Sequence, residues 1–487
     1  MSFKDAVVKD NNSKVSNTKN GMKAWATSNS KVLDLFGNVG SSRGNDVSAL
    51  FWAAYTENED LTLRLLQWLR DVRGGAGERQ QFRNLLGALD SSHPNVSEKL
   101  MHKIPLLGRW DDLFAYTNPV NRRAALEMFA DAIRAEDQLA AKWAPREKSA
   151  RSQEAYELRK VMGLSRKSYR KMLVRNTNVV ESLMCSRNWN DINFSHVPSV
   201  AASRYQKAFG KNAGEKYAAY LNELQKPTAE RDPKVKINAG AVYPYDVLKS
   251  VLKGNAAVAD EQWKALPNYI GDAKILPMVD VSGSMGSLGF NNNGFGSFGS
   301  RSSISPIDIS VSLGIYCAEK NTGPFSDTFL TFSGRPELTV LKGTLSDRVR
   351  QLSRANWGMN TNLEAAFQSV LDLAVRHDVS AEDMPDMILI LSDMQFDSAI
   401  GYRKNLTALE MIRAKYESAG YKMPAIVFWN LSMYGSENTP VKVDDRGVVL
   451  VSGFNPNLME TVLEGNFEDY TPYNMMCRVL MKERYDY

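Results

Sequence analysis

Ile275-Leu276-Pro277-Met278-Val279-Asp280-Val281-Ser282-Gly283-Ser284-Met285-Gly286 is an apolar run that ends in an aspartate, two serines at alternate positions and a glycine. The run has the length and composition of a strand buried on both faces, as in parallel sheets. A hard divalent cation such as Mg2+ takes oxygen ligands in near-octahedral geometry, and Asp280-x-Ser282-x-Ser284 offers a carboxylate and two hydroxyls from one short loop. At the carboxyl end of a parallel strand, such a loop lies where open α/β sheets bind their ligands. The motif alone leaves two readings open, a metal loop and a strand end followed by a serine-rich turn.

Downstream, strand and helix patterns alternate. Strands are expected at 274–280, 327–333, 336–341, 386–392, 424–430 and 447–452. Helices are expected near 307–320, 345–353, 362–376, 404–419, 456–464 and 472–484. This alternation predicts a doubly wound, mostly parallel sheet. Two further loops bear on the first. Met359-Asn360-Thr361-Asn362-Leu363 opens a helix with Leu363, Ala366, Phe367, Val370 and Ala374 on one face, and the strand Met387-Ile388-Leu389-Ile390-Leu391 ends in Ser392-Asp393.

An Asp-x-Ser-x-Ser strand end, a later Thr and a still later Asp, in that order, resemble the metal-ion-dependent adhesion site of the von Willebrand factor A fold. The resemblance implies that Ser282, Ser284 and Thr361 supply hydroxyl oxygens to Mg2+ or another divalent cation. Asp280 and Asp393 would act directly or through water, and an acidic group of a protein partner would fill the remaining position. Neither a Ser-His-Asp constellation nor a phosphate-binding P-loop is evident, so the chain reads as a binding protein and not an enzyme. Between the metal loop and the next helix lies a Gly/Phe/Asn-rich insertion, 286–305, which reads either as a surface loop or as a lid touching whatever binds at the metal.

Upstream the pattern changes. Residues 1–30 are rich in Asn, Ser and Lys without a sustained period, and read as a polar tail or cap. From 31 to 271 helical periodicity dominates, first clearly in 60–73, where Leu61, Leu65, Trp68, Leu69 and Val72 share a face. Further helices are expected near 79–89, 97–103, 122–141, 151–162, 166–174, 178–185, 198–209, 213–224 and 245–253, with a linker through 255–272. The expected organisation is thus a tail (1–30), an all-helical HEAT-like solenoid or ring (31–271) and an A-type α/β domain (272–487).

Charge follows the same division. Residues 1–271 hold 41 basic and 29 acidic side chains, and 272–487 hold 19 and 26. A basic half points to a polyanionic partner. The densest window contains Lys142, Arg146, Lys148, Arg151, Arg159, Lys160, Arg166, Lys167, Arg170, Lys171 and Arg175, and these are the candidate RNA contacts. On the helix opened by Ser165, Arg166, Lys167, Arg170 and Lys171 fall opposite Tyr169, Met172 and Leu173. Such a face is either a solvated charged surface or one that binds phosphates with counterion release. The neighbouring aromatics Trp143, Tyr156, Tyr169, Trp189, Phe194 and Tyr205 stack on bases only if exposed, and at helical spacing they read first as core. His196, beside Pro198, reads as a hydrogen-bonded structural residue.

A basic helical half before an A domain is similar to the Ro autoantigen and its bacterial and phage relatives, which carry the TROVE module. Arg70-Asp71-Val72-Arg73-Gly74-Gly75-Ala76-Gly77-Glu78-Arg79, Gly108-Arg109-Trp110-Asp111-Asp112-Leu113 and Ile237-Asn238-Ala239-Gly240-Ala241-Val242-Tyr243-Pro244-Tyr245 look like a branch of that family. The resemblance implies helical repeats bent into a ring, single-stranded RNA ends in its hole, structured non-coding RNA on its outer surface, and a role in RNA quality control. The competing reading is a metal-dependent protein-interaction scaffold, an ATPase partner or virion-assembly factor without RNA. Three scattered cysteines and the lack of a signal or spanning segment lead to the expectation of a cytoplasmic protein with no membrane contact.

Overall fold

Strands form where the sequence is apolar in unbroken runs. The computed structural model describes residues 15–487 apart from 44, 178, 228, 240–241, 255, 287, 289–304, 333–334, 353–360, 399–405, 434–437 and 465–469. β1 (Val15–Asn17) and β2 (Lys23–Trp25) make an antiparallel hairpin. A six-stranded sheet is built from β3 (Ile275–Asp280), β4 (Thr328–Phe332), β5 (Glu337–Val340), β6 (Met387–Ser392), β7 (Ala425–Asn430) and β8 (Val448–Ser452). Its order is β5-β4-β3-β6-β7-β8, parallel throughout except for the edge strand β5. β3, β6, β7 and β8 are buried along their whole length, which explains why they lack an in–out alternation. The chain passes from β3 to β4 on one side and then to β6 on the other. The carboxyl ends of β3 and β6 therefore flank the crevice where such sheets bind ligands.

Two compact units result, and they are not the ranges the sequence suggests. One comprises Met1–Thr62 with Val242–Lys482, the other Leu63–Ala241 with Glu483–Tyr487. The expected boundaries at 30/31 and 271/272 differ from this for a packing reason. Helix Lys31–Val39 buries Val32, Leu33, Leu35, Phe36 and Val39 in the sheet unit. Its end lies so close to β8 that a Cβ on Gly40 would come within 2.6 Å of the Ser452 carbonyl oxygen. The Gly40 amide donates to Ser452 Oγ (3.1 Å) and Asn430 Nδ2 donates to the Gly37 carbonyl (2.9 Å). Met22 of the hairpin joins the apolar core formed by Leu276, Ile388, Ile390 and Phe428. The tail reading of 1–30 is therefore corrected for residues 15–30, while 1–14 lie outside the described residues.

The second unit is helical, with no strand among its described residues. The expected helix 122–141 is two helices, Pro119–Arg134 and Gln138–Trp143, because Glu136 takes a positive φ of 62° and Asp137 caps the second. The expected linker 255–272 contains helix Ala256–Lys264 and belongs with the sheet unit. Segment 483–487 packs on helix Glu59–Arg70. Gln67 Nε2 donates to the Tyr485 carbonyl (2.7 Å), and Asp71 accepts Arg484 Nη2 (2.8 Å) and the Tyr485 hydroxyl (3.1 Å). No helix among the described residues is long and apolar enough to cross a membrane.

Candidate metal centre and basic surface

β3 delivers Asp280 to the carboxyl edge of the sheet, where the side chain is fully buried. Its carboxylate accepts the Ser282 amide at 2.9 Å and the Ser392 hydroxyl at 2.6 Å. Ser282 Oγ lies 3.0 Å from Ser284 Oγ, and the Ser284 side chain is near enough to Asp393 to favour its ionised form. Thr361, just before helix Leu363–Arg376, is buried, and its carbonyl accepts the Asp397 amide at 3.0 Å. Asp280, Ser282, Ser284 and Asp393 thus form one cluster, and Thr361 is tied to the loop that follows Asp393. Ser284 is exposed and opens the cluster to solvent.

Electrostatics make this cluster costly without a counter-charge. Burial, and then the charge of Asp393, push the Asp280 carboxyl up to about 7, and burial also raises that of Asp393. Among the described residues neither carboxylate has an ion-pair partner, although the charge of Lys19 favours ionised Asp393. No group of three or more His, Cys, Asp or Glu among the described residues is placed to hold a metal, so a cation here would depend on the hydroxyls. Two carboxylates and three hydroxyls are an all-oxygen donor set that fits a hard divalent ion.

Residues 18–21, the turn of the N-terminal hairpin, complete the surroundings of the cluster. Asn20 Nδ2 donates to Thr361 Oγ1 (3.3 Å) and to the Gln395 carbonyl (2.6 Å), the Lys19 amide donates to Gln395 Oε1 (2.8 Å), and Thr18 Oγ1 donates to the Phe396 carbonyl (2.6 Å). Asn20 therefore ties the Thr361 loop to the Asp393 loop. Asn20→Ala is expected to cost about 1–2 kcal/mol of stability and to speed amide exchange at Asp397. Unchanged exchange there would show that the turn rests on these loops without holding them.

In the helical unit, Ser165 caps helix Arg166–Asn176 by accepting the Ser168 amide at 3.1 Å. Tyr169 and Leu173 are buried, while Arg166, Lys167, Arg170 and Lys171 are exposed, as the periodicity predicts. Arg166 lies 3.4 Å from Glu147 yet keeps 81% of its side chain exposed. Lys148, Lys160, Lys167, Arg170 and Lys171 are exposed and have no acidic partner among the described residues. The remaining basic candidates divide. Arg151 is held by Asp111 (2.6 Å) and Glu154, Arg159 by Glu147 (2.6 Å), and Arg175 makes an exposed pair with Glu136 (3.1 Å). Half-buried Arg146 donates to the Ala141 carbonyl, and Lys142 lies 5.8 Å from the Trp143 ring centre.

Residues 274–483 match a family model described as Domain of unknown function (DUF7788), and residues 18–104 and 124–274 match one described as Domain of unknown function (DUF2828). In sequence the chain is similar to the Uncharacterized protein L728 of Acanthamoeba polyphaga mimivirus, 28% identical over 522 residues that cover 95% of this chain and 86% of that protein. Among solved structures it is similar to the Ro (RSR) protein of Deinococcus radiodurans, with 13% identity and a TM-score of 0.48, over 94% of this chain and 100% of that one.

Several residues around these sites carry no signal in the sequence alone. Ser392 reads as a strand end but holds Asp280, and Asn20 sits 341 positions from Thr361. Arg151 and Arg159 count as cations in a basic window, and only their acidic partners reveal a structural use. Of the aromatics, Tyr169 and Phe194 are core, whereas Tyr156 is 44% exposed and Trp143 half-buried. His196 is exposed, and while its amide donates to the Asn193 carbonyl (3.1 Å), its imidazole has no hydrogen-bond partner among the described residues, which corrects the reading of a hydrogen-bonded structural side chain. The insertion 286–305 falls, apart from 286, 288 and 305, outside the described residues.

Proposed function

We propose that the helical unit binds non-coding or single-stranded RNA, chiefly through phosphates, and that the sheet unit docks an acidic group of a partner at a divalent cation. The observation that carries the RNA reading is the face of helix Arg166–Asn176, where Lys167, Arg170 and Lys171 stand exposed without acidic partners among the described residues. Cations already neutralised within the protein gain little from a phosphate, whereas free ones release counterions. Asp280, Ser282, Ser284, Thr361 and Asp393 would hold Mg2+, which would present positive charge to an incoming carboxylate. The reading is of an RNA chaperone or quality-control type of protein, working in the cytoplasm and not as an enzyme. The helical unit would supply a HEAT-like surface for the RNA.

Binding of a fluorescent oligouridylate by the full chain tests it. Affinity is expected to fall steeply with salt, and neutralising Arg166, Lys167, Arg170 and Lys171 to Gln should flatten the log–log slope by roughly 3. A flat salt dependence in the wild type would remove the RNA reading. The oxygen cluster specifically favours the second reading, a metal-dependent protein scaffold without RNA. That alternative expects an acidic protein partner retained with Mg2+ and released by EDTA after nuclease treatment.

A further inference from the structure

The motifs Arg70 to Arg79 and Gly108 to Leu113 spend Arg70, Asp111 and Asp112 on ion pairs inside the helical unit. Arg70 Nε meets Asp112 Oδ2 at 2.6 Å, and Arg83 Nη2 meets Asp112 Oδ1 at 2.6 Å and Asp111 Oδ2 at 3.0 Å. Arg151 takes the other contact of Asp111 at 2.6 Å. Arg79 and Arg109 of these motifs lie outside this network. The Arg109 guanidinium lies 4.0 Å from the centre of the Trp143 ring, and Lys142 Nζ lies 5.8 Å from the same centre. Arg79 is the N-cap of helix Gln80–Ser92, one turn before Arg83, and its charge acts on Arg109. Arg79, Arg109 and Lys142 have no acidic partner within ion-pair distance among the described residues, and Arg79 is exposed. Burial, and then the like charge of Arg79, depress the pKa of Arg109, the opposite of what a satisfied ion pair does.

Arg79 and Arg109 repel one another, with Lys142 beside the same Trp143 ring as Arg109, and an anion relieves that repulsion. The Arg109 guanidinium lies over the Trp143 indole, a cation–π contact that leaves its N–H donors able to bind phosphate oxygens. We propose that Arg79, Arg109 and Lys142 form a phosphodiester site for a single RNA strand, with Trp143 as a positioning residue that holds Arg109 by its cation–π contact. This inference rests on the RNA reading above and names a second contact point, separate in sequence from the basic helix.

Anisotropy of a fluorescein-labelled oligouridylate with the full chain, titrated across salt, tests it. Arg79→Gln/Arg109→Gln is expected to bind at least about tenfold more weakly, with the salt slope reduced by roughly 1.4. Trp143→Phe keeps a ring under Arg109 and should stay within about twofold of the wild type, while Trp143→Ala should weaken binding like loss of Arg109. Arg79→Gln alone, at an exposed position, should weaken binding without shifting the melting temperature, which separates binding from folding. Inorganic phosphate at matched ionic strength should not displace the oligonucleotide. If it does, the site is one for free phosphate and the strand assignment falls. Wild-type affinity and slope in Arg79→Gln/Arg109→Gln, with binding still weakened by the basic-helix substitutions, would overturn this site and leave the RNA reading intact. A wild type that binds no oligonucleotide would overturn both.

Discussion

Asp280→Asn is expected to raise the melting temperature of the protein in EDTA at pH 8 and to abolish any gain in stability from Mg2+. The carboxyl of Asp280 is fully buried and its pKa is pushed up to about 7, first by burial and then by Asp393. In the unfolded chain an aspartate titrates near 3.9. Because the folded value is the higher one, the folded state holds the proton more tightly. Stability from this group is complete below about pH 4 and is lost as pH rises towards 7. The difference of about three pKa units corresponds to a penalty on the order of 4 kcal/mol at pH 8, or a shift on the order of 5–10 °C. A neutral asparagine of the same shape escapes it. A bound divalent ion offsets the same penalty in the wild type, and at a hundredfold excess over its Kd it adds about 2.7 kcal/mol. Thermal melts at pH 5 and pH 8, each with EDTA and with Mg2+, check both halves. A wild type indifferent to divalent ions at pH 8, paired with an asparagine variant of unchanged stability, would remove the metal from the site.

Asp112→Ala should be the most damaging single substitution in the helical unit, at about 3–5 kcal/mol. Asp112 has no exposed surface and accepts Arg70, Arg83 and the Arg109 amide (2.9 Å). Its removal strands the guanidinium of Arg70, whose side chain is 2% exposed. A Cβ on Gly108 would come within 2.5 Å of Asp112 Oδ2 and 2.6 Å of Arg70 Nε, so Gly108→Ala should be damaging for a steric reason at the same place. Urea titration gives the comparison. A loss below about 1 kcal/mol for Asp112→Ala would mean that solvent reaches Arg70 and that the network is peripheral.

This network explains what the sequence could and could not convey. Arg70-Asp71 and Gly108 to Asp112 stand out as dense motifs, yet nothing in their spacing says that the charges face one another 42 positions apart. By contrast, Asp280 and Asp393 lie at the ends of two neighbouring strands, so local pattern was enough to place them at one edge of one sheet. Thr18, Lys19 and Asn20 were illegible because a strand of three residues has no period to detect, and their partners lie more than 300 positions away. Helix Lys31–Val39 carries an apolar face, but a face does not name the surface that covers it.

The interleaving of the two units has a consequence for how the chain can be made. The contact between Gly40 and Ser452 spans 412 positions, and segment Leu63–Ala241 of the helical unit is synthesised in between. At about 5–20 residues per second, the apolar face of Val32, Leu33 and Phe36 waits roughly 20–80 s for its partner strand to leave the ribosome. During that interval it is a surface open to chaperones or to other nascent chains. Expressing 272–487 alone creates the complementary problem permanently, because β8 then lacks the helix that packs on it.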